Sequence, residues 1–267
     1  MQLVKRSAAA GWLLLCLGCQ SADAWSPLFD GASLDGWTVK IRGLPLGEDP
    51  YRTFRVEDGV LRVGYENYDG PFGGRFGHLF HDAEFSHYLL RVEYRFVGEQ
   101  AEGGPGWAWR NSGVMIHGQR PETMTVEQDF PVSIEVQLLG GDGEHERTNA
   151  NLCTPGTNVV MDSQLVTRHC VDSNSKTCHG DDWYTVIVEV RGGEVVRHFV
   201  DGELVLEYRE PQLDPRDANA LGLMVGESLI LDHGTISLQW DSQGVGFGRV
   251  DVRRLKVVVA VGVGGLR

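Results

Sequence analysis

Tyr88-Leu-Leu-Arg-Val-Glu-Tyr-Arg-Phe96 decides how this chain is read. Leu90, Val92, Tyr94 and Phe96 fall on one face of an extended strand, and Arg91, Glu93 and Arg95 on the other. A strand with one apolar and one charged face belongs to an antiparallel sheet that covers a core on one side only. The same pattern repeats outward in both directions. Ser112–His117 sets Val114 and Ile116 against Gly113, Met115 and His117. Ser133–Leu139 sets Ile134, Val136 and Leu138 against Glu135, Gln137 and Leu139. Glu57-Asp58-Gly59 and Asp201-Gly202 carry the acidic-glycine signal of tight hairpins, between strands at 54–63 and between Val195–Val200 and Leu204–Tyr208. Tyr184–Val190, Gly222–Val225, Thr235–Trp240 and Val250–Val261 read as further strands.

More than ten short strands with hairpin spacing and hardly a helix predict an all-β, two-sheet sandwich. Gly98–Trp109 and Gly140–Asp182 read as irregular loops, and long loops in a compact β-domain tend to be functional.

The first 18 residues read as an export signal. Lys5 and Arg6 precede an apolar run, Ala8–Leu17, that is shorter than the roughly 20 residues a membrane span needs. Leu15-Cys-Leu-Gly-Cys19 resembles a bacterial lipobox, which makes Cys19 the candidate acylated residue and 19–26 a tether. A single lipid anchor is then the only expected contact with a membrane. Loss of Lys5 and Arg6 takes the net charge from −13 to −15, because residues 1–18 contain no acid. Such a chain repels phosphate backbones, so nucleic acid is not an expected partner. Cys153, Cys170 and Cys178 suit a disulfide staple in an exported chain. Cys170–Cys178 closes the shortest loop, although spacing leaves the pairing open. A zinc site recruiting His169 and His179 lacks the usual paired Cys-x-x-Cys spacing.

Five motifs in order carry a resemblance. They are Leu28-Phe-Asp-Gly-Ala-Ser-Leu-Asp-Gly-Trp37, Asn111-Ser-Gly-Val114, Glu135-Val-Gln-Leu-Leu139, Asp182-Trp-Tyr184 with Val200-Asp-Gly-Glu203, and the closing Gly234–Gln239, Val245-Gly-Phe247 and Val250-Asp-Val252. Over about 27–256 the chain resembles the 3-keto-disaccharide hydrolase domain family, related in fold to concanavalin A-like lectins and glucanases. The resemblance implies a jelly-roll sandwich, with 257–267 left as a tail. It departs from the family at Gly140-Gly141, where an acidic residue often stands, and at the Cys153–Cys178 insertion.

Parity gathers Arg91, Glu93, Arg95, Met115, His117, Glu135 and Gln137 on non-core faces. If these strands are neighbours, one hollow holds guanidinium groups, carboxylates and an imidazole, which suits a sugar's hydroxyls. Glu135 is the first candidate for catalytic base, and His117 for acid. Together they are the candidate ligands of a divalent metal ion. Arg91, Glu93, Arg95, Gln137, Asn111 and Gln239 are candidate substrate contacts, and Trp107, Trp109 and Trp183 candidate sugar platforms. The family name implies a route: a ketone at sugar carbon 3 acidifies the hydrogen on carbon 2, a base removes it, and the aglycone leaves from carbon 1. A direct glycosidase instead needs two carboxylates flanking the bond, for which Glu93 and Glu135 are the available pair. The alternative to an enzyme is a non-catalytic carbohydrate-binding surface module using the same groove.

Overall fold

The computed structural model describes residues 24–256, so the signal, Cys19 and the tail lie outside the described residues. Two antiparallel sheets pack face to face. The seven-stranded sheet runs, in spatial order, Cys170–Val171, Asn151–Cys153, Ile134–Leu139, Asn111–Gly118, Gly234–Trp240, Gly77–Phe85 and Trp37–Ile41. The ten-stranded sheet runs Gln164–Val166, Thr157–Met161, Glu203–Leu213, Val195–Val200, Tyr184–Arg191, His87–Gln100, Gln243–Arg254, Val60–Val63 and Phe54–Glu57, with Ser26–Pro27 also paired to Gln243–Arg254.

The core lies where the apolar parities of the two sheets meet. Leu90, Val92, Tyr94 and Phe96 project from one side, and Val114, Ile116, Val136, Leu138, Ile236, Leu238 and Trp240 from the other, all in one buried cluster. Burying such a side chain contributes roughly 1.5–3 kcal/mol, so the alternation read from sequence is also the main source of stability. Both Asp-Gly dipeptides are tight turns with left-handed backbone at each position, φ 51° and 79° at Asp58-Gly59 and 51° and 82° at Asp201-Gly202. That backbone suits the right-handed twist of the flanking strands and is open to glycine without strain.

Two expectations change, and the disulfide pairing that spacing left open is resolved. Gly222–Val225 is not a strand. The short helix Ala218–Leu221 precedes it, capped by Asp217, whose carboxylate accepts from the Asn219 and Ala220 amides. Gly140–Asp182 is not irregular throughout, since Asn151–Cys153, Thr157–Met161, Gln164–Val166 and Cys170–Val171 extend both sheets at one edge. Those strands are three residues long on average and too short for alternation to show. The disulfide joins Cys153 to Cys170, not Cys170 to Cys178. Antiparallel pairing sets Cys170 directly opposite Cys153, a register that loop length cannot reveal. Cys178 is buried and unbridged, and its sulfur accepts from Asn149 Nδ2 at 3.2 Å.

Candidate active site on the seven-stranded sheet

Register across the seven-stranded sheet lines up the outward side chains in rows. One row reads Asn151, Gln137, Gly113, Gln239, His78, Lys40, each opposite the next on the neighbouring strand. The row beside it reads Cys170, Cys153, Glu135, Met115, Ser237, Phe80. Gly113 leaves a gap in the first row, and Glu135 fills it: a Cβ on Gly113 would sit 2.7 Å from Glu135 Oε1 and 3.0 Å from its Cγ. The Asn-Ser-Gly motif thus has three separate jobs. Asn111 faces a cavity, Ser112 Oγ donates to the Gln239 carbonyl at 2.7 Å and ties the next strand in place, and Gly113 makes room for the carboxyl.

The cavity has a volume of about 320 Å³. Its floor is Glu135, Gln137, Asn111 and Gln239, and its walls are Trp107, Phe130, Pro155, His169 and the Cys153–Cys170 bridge. Trp107 is 53% exposed and stacks on Phe76, with centroids 5.6 Å apart and an interplanar angle of 19°. An exposed indole held rigid by a second ring is a ready platform for the apolar face of a pyranose.

The floor and the strand positions next to it are short of partners. His78, Asn111, Glu135, Ser237, Gln239 and Asp241 each carry a buried side-chain nitrogen or oxygen with no hydrogen bond inside the protein. Leaving one such group unsatisfied costs about 1–3 kcal/mol, so six together mark a surface shaped for something other than folding. Asp241 continues the outward parity of Ser237 and Gln239, and Gln239 Nε2 donates to its Oδ2 at 2.5 Å. Burial, opposed by that hydrogen bond, pushes the Asp241 carboxyl up to about 7. Glu135 is held well above the usual carboxylate range, first by burial and then by the charge of Asp241. His78 is pressed down to about 3 by burial, so its imidazole is neutral. Glu135 on the floor therefore has a second desolvated carboxyl, Asp241, near enough to raise it further, and no arginine is among the cavity's lining residues.

Other candidates lie elsewhere. His117 shares Glu135's parity on paper, but Ile116 and His117 together face the single residue Ile236, a bulge at which His117 has φ 48°. The extra residue turns the ring away from the outward rows. It is sealed at 2% exposure, with Nε2 3.1 Å from the Gly192 carbonyl, which lies in a turn of the other sheet. Burial lowers this imidazole to about 4. The catalytic pairing of His117 with Glu135, and their shared metal site, are therefore both corrected. Arg91, Glu93 and Arg95 face outward from the ten-stranded sheet, on the far side of the core from Glu135. Arg91 Nε donates to Asp251 Oδ2 at 3.2 Å, and Arg95 stacks over Trp183 at 4.7 Å. Alternation fixes which side chains point out but not from which sheet. Glu93 and Glu135 consequently cannot flank one glycosidic bond. Trp109 lies against Arg110 and Arg147, each 5.7 Å from its ring, and Trp107 occupies the cavity instead. Asp142, the acid nearest the family's expected position, accepts from the Glu144 and His145 amides in an exposed turn.

Of the two ligands expected for a divalent cation, Glu135 keeps an unpartnered oxygen beside the cavity and His117 is sealed away from it. Among the described residues, the one group of three His, Cys, Asp or Glu ligand atoms within 4.8 Å of one another is Cys153, His169 and Cys170, and its two sulfurs are spent in the disulfide. The unpartnered oxygens of Glu135, Asn111 and Gln239 are the donors of a type that suits a hard cation.

The sequence reading misses Asp241, His78 and Phe130, and it names His169 only for a zinc site. Parity from Ser237 reaches Asp241, and His78 needs Gly77–Phe85 to be recognised as a strand. The place of His169 on the cavity wall is legible only once the disulfide is known.

The fold recurs in solved structures. A provisionally assigned glycosyl hydrolase from Parabacteroides distasonis ATCC 8503 superposes with a TM-score of 0.53 at 14% identity, over 87% of this chain and 100% of that one. A Bacillus subtilis protein of unknown function with a galectin-like fold gives 0.52 at 11%, over 86% and 94%. The β-glucanase of Bacillus licheniformis gives 0.47 at 10%, over 87% and 98%. No curated protein matches the chain by sequence. The model of a 3-keto-alpha-glucoside-1,2-lyase-like domain matches residues 24–257, and the chain belongs to that family.

Proposed function

We propose that this protein is an exported enzyme that cleaves 3-keto-glycosides, with Glu135 as the base that removes the proton next to the ketone. The observation that carries this reading is the desolvated Glu135 carboxyl on a cavity floor of unpartnered amides. Burial makes a carboxylate a stronger base, as abstraction of a carbon-bound proton requires. The carbon 2 proton passes to Glu135, the carbon 2 electron pair forms the double bond to carbon 1, and the glycosidic oxygen departs with its bonding pair. Water then adds across that double bond to complete net hydrolysis. The amides of Asn111, Gln137 and Gln239 orient the sugar's oxygens, Trp107 stacks on its ring, and His169 on the wall protonates the departing oxygen. A divalent cation on Glu135, Asn111 and Gln239 would add positive charge near the ketone oxygen.

Turnover of a 3-keto-disaccharide by Glu135→Gln is the test. Loss of a general base costs roughly 10²–10⁴-fold, while affinity measured by calorimetry should stay within a few fold. Wild-type turnover in the variant rejects the role. Binding of the disaccharide by a wild type that never turns it over makes the protein a carbohydrate-binding module.

Export by a lipid anchor belongs to the same proposal. The Cys153–Cys170 disulfide supports an oxidising compartment. Cys19→Ala should abolish labelling by a radioactive fatty acid in a bacterial host; retained labelling removes the anchor.

A further inference from the structure

A second cavity, of about 430 Å³, lies beside the first, and the two share Phe130, Pro155 and His169 as lining residues. Its remaining lining comes mainly from two segments: Thr125, Glu127, Gln128 and Asp129 on one side, and Asp217 and Asn219 on the other. The ridge between the cavities is pinned covalently. Pro155 and His169 stand just inside the Cys153–Cys170 bridge, and Thr154 donates from its amide to the His169 carbonyl at 2.8 Å. Phe130 contributes a ring to both cavities and packs against Phe76 and His78, at 5.4 and 5.8 Å.

Resting on the reading that the first cavity holds the keto ring, we infer that the second is the aglycone subsite and seats a neutral sugar ring. Its chemistry sets the class. Hydroxyl, amide and carboxylate groups supply hydrogen-bonding capacity along the rim, and Phe130 supplies an apolar edge. Three carboxylates line the space (Glu127, Asp129 and Asp217) and neither lysine nor arginine does; Arg42, outside the lining, pairs with Glu127 at 3.6 Å and Asp129 at 3.0 Å, which offsets one of the three charges and leaves the space negative. A uronate or a sugar phosphate would enter against that field, whereas a neutral hexose meets acceptors for its hydroxyls. The disulfide-closed segment, a departure from the family pattern, thereby becomes a specificity element: it fixes the ridge that a glycosidic bond must cross.

The experiment compares kcat/KM for a 3-keto-disaccharide with a neutral second ring, for its uronate counterpart, and for methyl 3-keto-glucoside. Asn219→Trp fills the second cavity from an exposed position and should lower the ratio of disaccharide to methyl glycoside by about tenfold, the worth of one or two hydrogen bonds. Thr125→Trp does the same from the opposite rim if the first variant fails to fold. Glu127→Lys should raise the uronate-to-neutral ratio several fold. Unchanged ratios in folded variants, with Glu135→Gln inactive, overturn the subsite and leave the proposed reaction standing. An active Glu135→Gln strikes the proposed reaction instead.

Discussion

The two outward faces of this sandwich obey one alternation rule and end in opposite chemical states. On the ten-stranded sheet, Arg197 pairs with Glu189 at 3.1 Å and Glu207 at 2.6 Å, Arg62 with Glu57 at 2.7 Å, and Arg91 with Asp251. These charges are partly exposed and have partners. On the seven-stranded sheet, Glu135 and Asp241 are buried at 5% and 0% exposure, and each keeps an oxygen without one. Loops make the difference, because Trp107, Phe130, Pro155 and His169 roof one face while the other meets water. A paired outward charge maintains the fold; an orphaned, roofed one is available for chemistry. Exchanging the same residue type on the two faces tests that distinction most directly. Glu135→Gln should lose turnover by two or more orders of magnitude, whereas Glu93→Gln, which faces outward from the other sheet, should stay near wild type. Equal effects would erase the contrast between the faces.

Asp241→Asn sharpens the comparison through pH. Asp241 titrates near 7 in the folded chain against an ordinary value of 3.8, so its ionised form opposes folding. The wild type therefore loses stability through Asp241 as pH rises between about 4 and 7, and the asparagine variant loses less, because burial alone still raises Glu135. The gap should approach about 4 kcal/mol at pH 8 and vanish near pH 3, measured by urea denaturation. A second readout comes from kinetics. A base must be ionised, so kcat/KM should rise with pH, and removing the neighbouring charge should move that rise to lower pH. A rise that stays in place would show that the two carboxyls are not coupled.

Gly113→Ala probes the space rather than the charge. The added methyl would stand 2.7 Å from Glu135 Oε1, so the carboxyl must move while the strand remains buried. A displacement of that size typically costs up to about 100-fold in rate, with thermal stability changing far less. Unaltered kinetics would mean that Glu135 does not work from that gap.

What the sequence could show follows from the range over which each signal acts. The sandwich was legible because alternation over nine residues at Tyr88–Phe96 is a local pattern that burial enforces. Glu135, Gln137, Asn111 and Gln239 came from motifs and parity on strands that pair side by side, so local reading and spatial grouping agreed. Arg91, Glu93 and Arg95 obeyed parity equally well, but their sheet is set by long-range pairing with Gln243–Arg254 and Tyr184–Arg191, which no local pattern encodes. His117 failed for another reason: a one-residue bulge reverses parity within a single step. The Cys153–Cys170 pairing stayed open because register, not separation along the chain, brings the sulfurs together.

The smallest effect is expected at Arg91, and it is informative because it is small. Its guanidinium lies 4.5 Å from the Trp25 ring and pairs with Asp251, whose side chain is 11% exposed. Arg91→Ala should therefore lower stability by about 1 kcal/mol, within the range of partly exposed ion pairs and cation–π contacts. Turnover of a 3-keto-disaccharide should be unchanged, because the intervening core separates this residue from the cavity. A fall in turnover without a matching loss of stability would mean that the charged face of the ten-stranded sheet takes part in the reaction, and that pairing is no guide to which face of a sandwich is active.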